Sequence, residues 1–174
     1  MKNVIKIIEV FGGFENLAQN PISLMVEGFM PLSIERIGTG PRGGILLSVM
    51  HWYEQNGDLM RDPDVEIEIL PDTGEWLPLS YRQDSAGLFQ QVQRDIDGEL
   101  MRATERFVKD IQDFLVLWDS NIGEQGFIEA AQKFLDRNSL DASDEGAFPN
   151  CGCGNPVKIG VKRCSLSWLH LCNS

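Results

Sequence analysis

Val65-Glu66-Ile67-Glu68-Ile69-Leu70, then Pro71-Asp72-Thr73-Gly74, then Trp76-Leu77-Pro78-Leu79-Ser80-Tyr81-Arg82: this stretch decides the fold. Apolar and polar residues alternate in the first block, the period of a half-buried strand. The middle block is turn chemistry, and the third reads as a second strand, about Trp76 to Arg82. Two short strands across a four-residue turn run antiparallel, because a parallel pair needs a long crossover. Working outward, Met30-Pro31-Leu32-Ser33-Ile34-Glu35-Arg36-Ile37 alternates in the same way. The glycine-rich stretch Gly38-Thr39-Gly40-Pro41-Arg42-Gly43-Gly44 turns it into a strand from Ile45 to Tyr53. A last strand is expected over Leu88–Arg94, before the turn Asp95-Ile96-Asp97-Gly98.

Helical spacing brackets this meander. Val4, Ile7, Ile8 and Phe11 share a helix face that Gly12-Gly13 stops. Phe107, Ile111, Phe114, Leu115 and Trp118 form an apolar stripe, and Ala130, Ala131, Phe134 and Leu135 form another beyond Gly126. The expected fold is α+β: an antiparallel sheet of about five strands, an N-terminal helix and a C-terminal helical hairpin laid on the sheet. Composition then divides the chain into an acidic domain over 1–137, a polar linker over 138–150 and a cysteine-bearing tail over 151–174.

Charge narrows the partners. The 174 residues carry a net charge of −11. The tail holds Lys158, Lys162 and Arg163 and no acid, which leaves −14 on the first 150 residues. Such a body repels phosphate backbones and attracts basic protein surfaces, so no direct DNA binding is expected. No apolar run approaches the roughly 20 residues that a membrane-spanning helix needs. Charges interrupt the apolar residues of Val4-Ile5-Lys6-Ile7-Ile8-Glu9, unlike a secretory signal, and a cytoplasmic protein is expected.

Four features invite chemistry. The acidic run from Asp58 to Glu68 includes Asp62, Asp64 and Glu66, and clustered carboxylates are what a metal-dependent nuclease uses to hold Mg²⁺. Strand alternation accounts for the same residues as a wet face, with Asp64, Glu66 and Glu68 toward water and Val65, Ile67 and Ile69 toward the core. The lysine that a restriction-type nuclease wants is missing, since none occurs between Lys6 and Lys109. His51, in Met50-His51-Trp52-Tyr53-Glu54, would be a general base if Asp58 or Asp84 joined it, and is a hydrogen-bonded structural histidine otherwise. The stretch 38–44 has a phosphate loop's glycines but lacks its Gly-Lys-Ser/Thr ending and joins two strands, so it reads as a turn with Arg42 as a contact residue at its tip. Cys151, Cys153, Cys164 and Cys172, with His170 nearby, are enough ligands for one Zn²⁺. Their spacing lacks C-x2-C pairs, which leaves a metal-free appendage as the competing reading and no cofactor required.

Ile37-Gly38-Thr39-Gly40-Pro41-Arg42-Gly43 and Tyr53-Glu54-Gln55-Asn56-Gly57-Asp58-Leu59-Met60-Arg61-Asp62-Pro63 resemble a family of uncharacterised bacterial proteins carried on conjugative elements, plasmids and phages. Trp76-Leu77-Pro78, Tyr81-Arg82-Gln83-Asp84, Gly87-Leu88-Phe89-Gln90 and Gln125-Gly126-Phe127 look like its later blocks, and the tail falls outside the resemblance. The resemblance imports no reaction. It implies a small acidic protein of a mobile genetic element, similar to anti-defence factors that occupy a basic nucleic-acid groove. The expected function is therefore an anti-CRISPR-like inhibitor that binds a basic surface of a host effector. Arg42, Asp58, Asp62, Asp64, Glu66, Glu68, Arg82 and Asp84 are its candidate contacts. A metal-dependent nuclease or nucleotide hydrolase built on His51, Glu54, Asp58, Asp62 and Asp64 is the enzyme alternative, and an accessory protein of element maintenance is the third.

Overall fold

A computed structural model describes residues 1–92 and 102–144 of the chain. Its centre is a six-stranded antiparallel sheet in which each strand lies beside its sequence neighbour: β1 (Ile22–Leu24), β2 (Leu32–Thr39), β3 (Ile45–Gln55), β4 (Asp58–Leu70), β5 (Glu75–Gln83) and β6 (Leu88–Gln91). The helices are α1 (Lys2–Val10), the short α2 (Gly13–Leu17), α3 (Arg102–Glu124) and α4 (Phe127–Asp144). The α+β class and the meander stand as expected. The sixth strand is β1, whose three residues are too few for alternation to signal. The turn expected at Asp95–Gly98 lies outside the described residues. Helix α4 continues to Asp144, so residues 138–144, expected as linker, are helical.

Strand β4 is much longer than the six residues that alternation marked. Pro63 argues against a central strand, yet it sits where the register with β3 slips, so that His51 alone faces both Asp62 and Pro63. Pro78 of β5 is accommodated in the same way, beside the slip opposite Glu66 and Ile67. The signal for the longer strand is Asn56-Gly57. Both have positive φ, at 56° and 86°, which is the geometry of a tight two-residue hairpin between β3 and β4.

One apolar core lies between the sheet and the helices. Leu32 and Ile34 of β2, Leu47 and Val49 of β3, and Val65, Ile67 and Ile69 of β4 meet Val4, Ile7 and Ile8 of α1 and Leu115 and Ile122 of α3. Helix α1 packs against both α3 and α4, so the hairpin holds α1 as well as covering the sheet. Asp119 of α3 fixes the start of α1, being only 7% exposed. Its carboxylate accepts the backbone N–H groups of Asn3 (3.1 Å) and Val4 (3.0 Å), and its backbone carbonyl accepts Asn3 Nδ2 at 2.8 Å. These N–H groups have no partner inside the helix, and a carboxylate there also meets the positive end of the helix dipole.

Candidate functional site

Among the described residues the helices lie on one side of the sheet, and none covers the opposite face, called here the open face. Antiparallel register assembles it in rows. Glu35, Ser48, Glu66 and Ser80 lie side by side across β2 to β5. Ser33, Met50, Asp64, Arg82 and Phe89 form the next row, and Trp52 opposes Arg61 beyond it. Glu35 and Glu66 therefore stand two strand spacings apart, roughly 10 Å, with Ser48 between them and Asp64 beside Glu66 in the next row of β4. The face carries carboxylates beside large apolar groups, Phe89 being 62% exposed.

Some of these carboxylates have partners within the chain. Ser48 Oγ donates to Asp64 Oδ1 at 2.8 Å, and Arg61 Nε lies 3.6 Å from Asp64 Oδ2. Asp84, at the turn after β5, accepts the Arg61 backbone N–H at 3.0 Å and Arg82 Nε at 2.7 Å. The Arg61 N–H foremost, and then the Arg82 bond, hold the Asp84 carboxyl below the ordinary 3.8. Asp62 accepts Gln83 Nε2 at 2.7 Å, while Tyr81 Oη donates to Gln83 Oε1 at 3.0 Å. Burial first, and the charge of Asp62 second, push the Tyr81 phenol above its ordinary value. Glu54 and Asp58 are exposed at the end of the β3–β4 hairpin.

Two expectations are corrected. Glu68 does lie on the open side, as alternation requires, but it is fully buried, at 0% exposure. The loop between β2 and β3 folds over it. The backbone N–H groups of Arg42 (2.7 Å) and Gly44 (3.0 Å) both donate to Glu68 Oε1, and Arg42 Nε donates to Oε2 at 3.1 Å. The glycines of 38–44 thus form an anion cradle whose anion is the protein's own carboxylate. A Cβ on Gly40 would sit 2.5 Å from Glu68 Cγ and Cδ, and one on Gly44 would collide with the backbone of β4. Arg42 is correspondingly no outstretched contact: it bridges Glu68 and Glu75, the latter at 3.1 Å.

His51 is the hydrogen-bonded structural histidine of the two readings. It pairs with Leu32 on the core side, is 5% exposed, and sets Nδ1 against the Pro31 carbonyl at 3.0 Å. Trp118 and Phe127 enclose its ring at 5.4 and 5.5 Å between centroids. Burial holds the imidazole below its ordinary 6.5, against the pull of the Pro31 and Met30 carbonyls and of Asp62. The catalytic alternative needed His51 beside Asp58 or Asp84. The fold instead puts Asp58 at the hairpin end and Asp84 against two arginines. Among the described residues, no group of three or more His, Cys, Asp or Glu side chains could hold a metal ion. Cys151, Cys153, Cys164, Cys172 and His170 lie outside the described residues.

Periodicity named Asp64 and Glu66 but missed Glu35 and the groups beside these carboxylates. Ser48, Met50, Trp52, Arg61 and Phe89 belong to the same face, and only strand register shows it. A groove of about 720 Å³ between β1 and α4 is lined by Leu24, Met25 and Phe134 with Glu129 and Lys133 at its sides.

The model of a family described as a domain of unknown function, DUF6908, matches residues 2–128. The chain belongs to the DUF6908 family. The match takes in the whole sheet and α1 to α3, so the open face is part of the DUF6908 domain, whereas most of α4 and residues 145–174 follow it. No curated protein and no solved structure matches the chain. No helix among the described residues is long and apolar enough to cross a membrane.

Proposed function

We propose that this protein is an acidic interaction module of a mobile genetic element that docks the open face of its sheet on a basic, nucleic-acid-binding surface of a host effector and so inhibits it. The observation that carries the reading is the one-sided architecture. Among the described residues, helices cover one face of the sheet, and the other presents Glu35, Asp64 and Glu66 beside Met50, Trp52 and Phe89. Carboxylates steer a basic partner and fix its orientation, while the apolar side chains supply the area whose burial holds it. A CRISPR effector is one candidate, since its nucleic-acid channel presents the required charge.

The test is a titration against a CRISPR nuclease. Inhibition should saturate near one-to-one, weaken as added salt shortens the screening length from about 8 Å at physiological ionic strength, and persist in EDTA. Asp64→Lys with Glu66→Lys should weaken it while circular dichroism stays unchanged. Multiple-turnover, Mg²⁺-dependent cleavage of RNA or DNA by the protein alone would refute the reading.

A further inference from the structure

The sheet ends at β6, and among the described residues no strand pairs with its outer side. All four of its residues are exposed, Phe89 and Leu88 among the large apolar ones. Unpaired edges offer backbone donors and acceptors to any passing strand, and proteins blunt them with brevity, charge, proline or a covering element. The opposite edge has such protection: β1 is three residues long, follows Pro21 and has α4 beside it. Leu88-Phe89-Gln90-Gln91 has neither charge nor proline, and the uncharged run extends from Ser85 to Gln93.

Charge selects the partner for this edge. In a chain of net −11, most approaches of a second copy set carboxylates against carboxylates. At β6 they do not. The ionic groups nearest it along β5 and the following turn are Arg82 and Asp84, which offset each other at 2.7 Å. A basic partner gains nothing here and is drawn to the carboxylate-bearing face instead.

We propose that β6 pairs antiparallel with β6 of a second copy across a two-fold axis, joining two six-stranded sheets into one. Such a contact is isologous, each edge supplying what the other lacks. Phe89 lies in the same row as Asp64 and Arg82, so the two aromatic rings would meet on the open side and make the two acidic faces continuous. This goes beyond docking on a basic surface and is independent of it.

Sedimentation of the full chain from submicromolar to high micromolar concentration tests it. A monomer–dimer equilibrium is expected that tightens with added salt, because screening relieves like-charge repulsion; docking on a basic surface weakens with salt. Phe89→Glu should move the midpoint to roughly tenfold higher concentration or beyond with the circular dichroism spectrum unchanged. Leu117→Glu, at a position on α3 that is 63% exposed, should leave it where it was. A chain that stays monomeric throughout overturns the proposal. So does a dimer that Phe89→Glu does not weaken, or one that Leu117→Glu weakens as much.

Discussion

Removing the Glu68 carboxylate should unfasten the β2–β3 loop. Glu68→Ala deletes the acceptor of the Arg42 and Gly44 N–H groups and leaves the Arg42 guanidinium with Glu75 alone. Taking one partner from a buried ion pair costs about 3–5 kcal/mol. The Arg42 side chain is 25% exposed, so water softens the loss, and the lower half of that range, about 3–4 kcal/mol, is expected. For a chain of this size that corresponds to a fall in Tm of roughly 6–16 °C. Glu68→Gln keeps the volume and an oxygen for the two backbone donors but turns an NH₂ toward Arg42, and should cost about 1–3 kcal/mol. Glu66→Ala, two residues away and only half-buried, should stay within about 0.5 kcal/mol. Urea denaturation followed by tryptophan fluorescence measures all three, provided the m-value is unchanged. If Glu68→Ala costs no more than Glu66→Ala, the loop is not anchored by this carboxylate and the cradle has no energetic meaning.

Asp119→Ala should cost about 1–3 kcal/mol by stripping the acceptor from the first turn of α1, with Asp119→Asn milder, in the same urea assay. Leu115→Ala should cost about 2–5 kcal/mol, since Leu115 is fully buried, while Leu117→Ala on the exposed side of α3 should be near neutral by thermal melts. His51 sets a pH dependence. Its folded pKa lies below 6.5, so the unfolded chain binds a proton that the folded chain does not. That contribution is complete above pH 6.5 and is lost as pH falls through the folded value. Denaturation midpoints should therefore decline below pH 6.5, and His51→Gln should flatten that decline. An equal slope in the variant would place the titration elsewhere.

The sheet was legible because its signals are local. Alternation in Val65–Leu70 assigns Val65, Ile67 and Ile69 to the core, where they are buried, and the glycine, proline and aspartate turns forbid parallel crossovers. The stripes of α1 and α3 were equally plain. The start of β4 was missed although Asn56-Gly57 announces it, because Pro63 counts against a strand unless a register slip accommodates it, and the slip belongs to the pairing with β3.

By itself the sequence determined which side of the sheet Val65 to Ile69 take and how the net charge is divided along the chain, since period and composition are properties of neighbours in the chain. Tertiary structure alone decided whether each side is wet. Glu66 and Glu68 share a side, yet Glu68 is sealed by Arg42, Gly40 and Gly44, which lie more than twenty residues away. His51 and Tyr53 share the other side, and His51 is buried because Trp118 and Phe127 close over it. Burial depends on what the rest of the chain folds across a surface, and alternation along one strand carries no record of that.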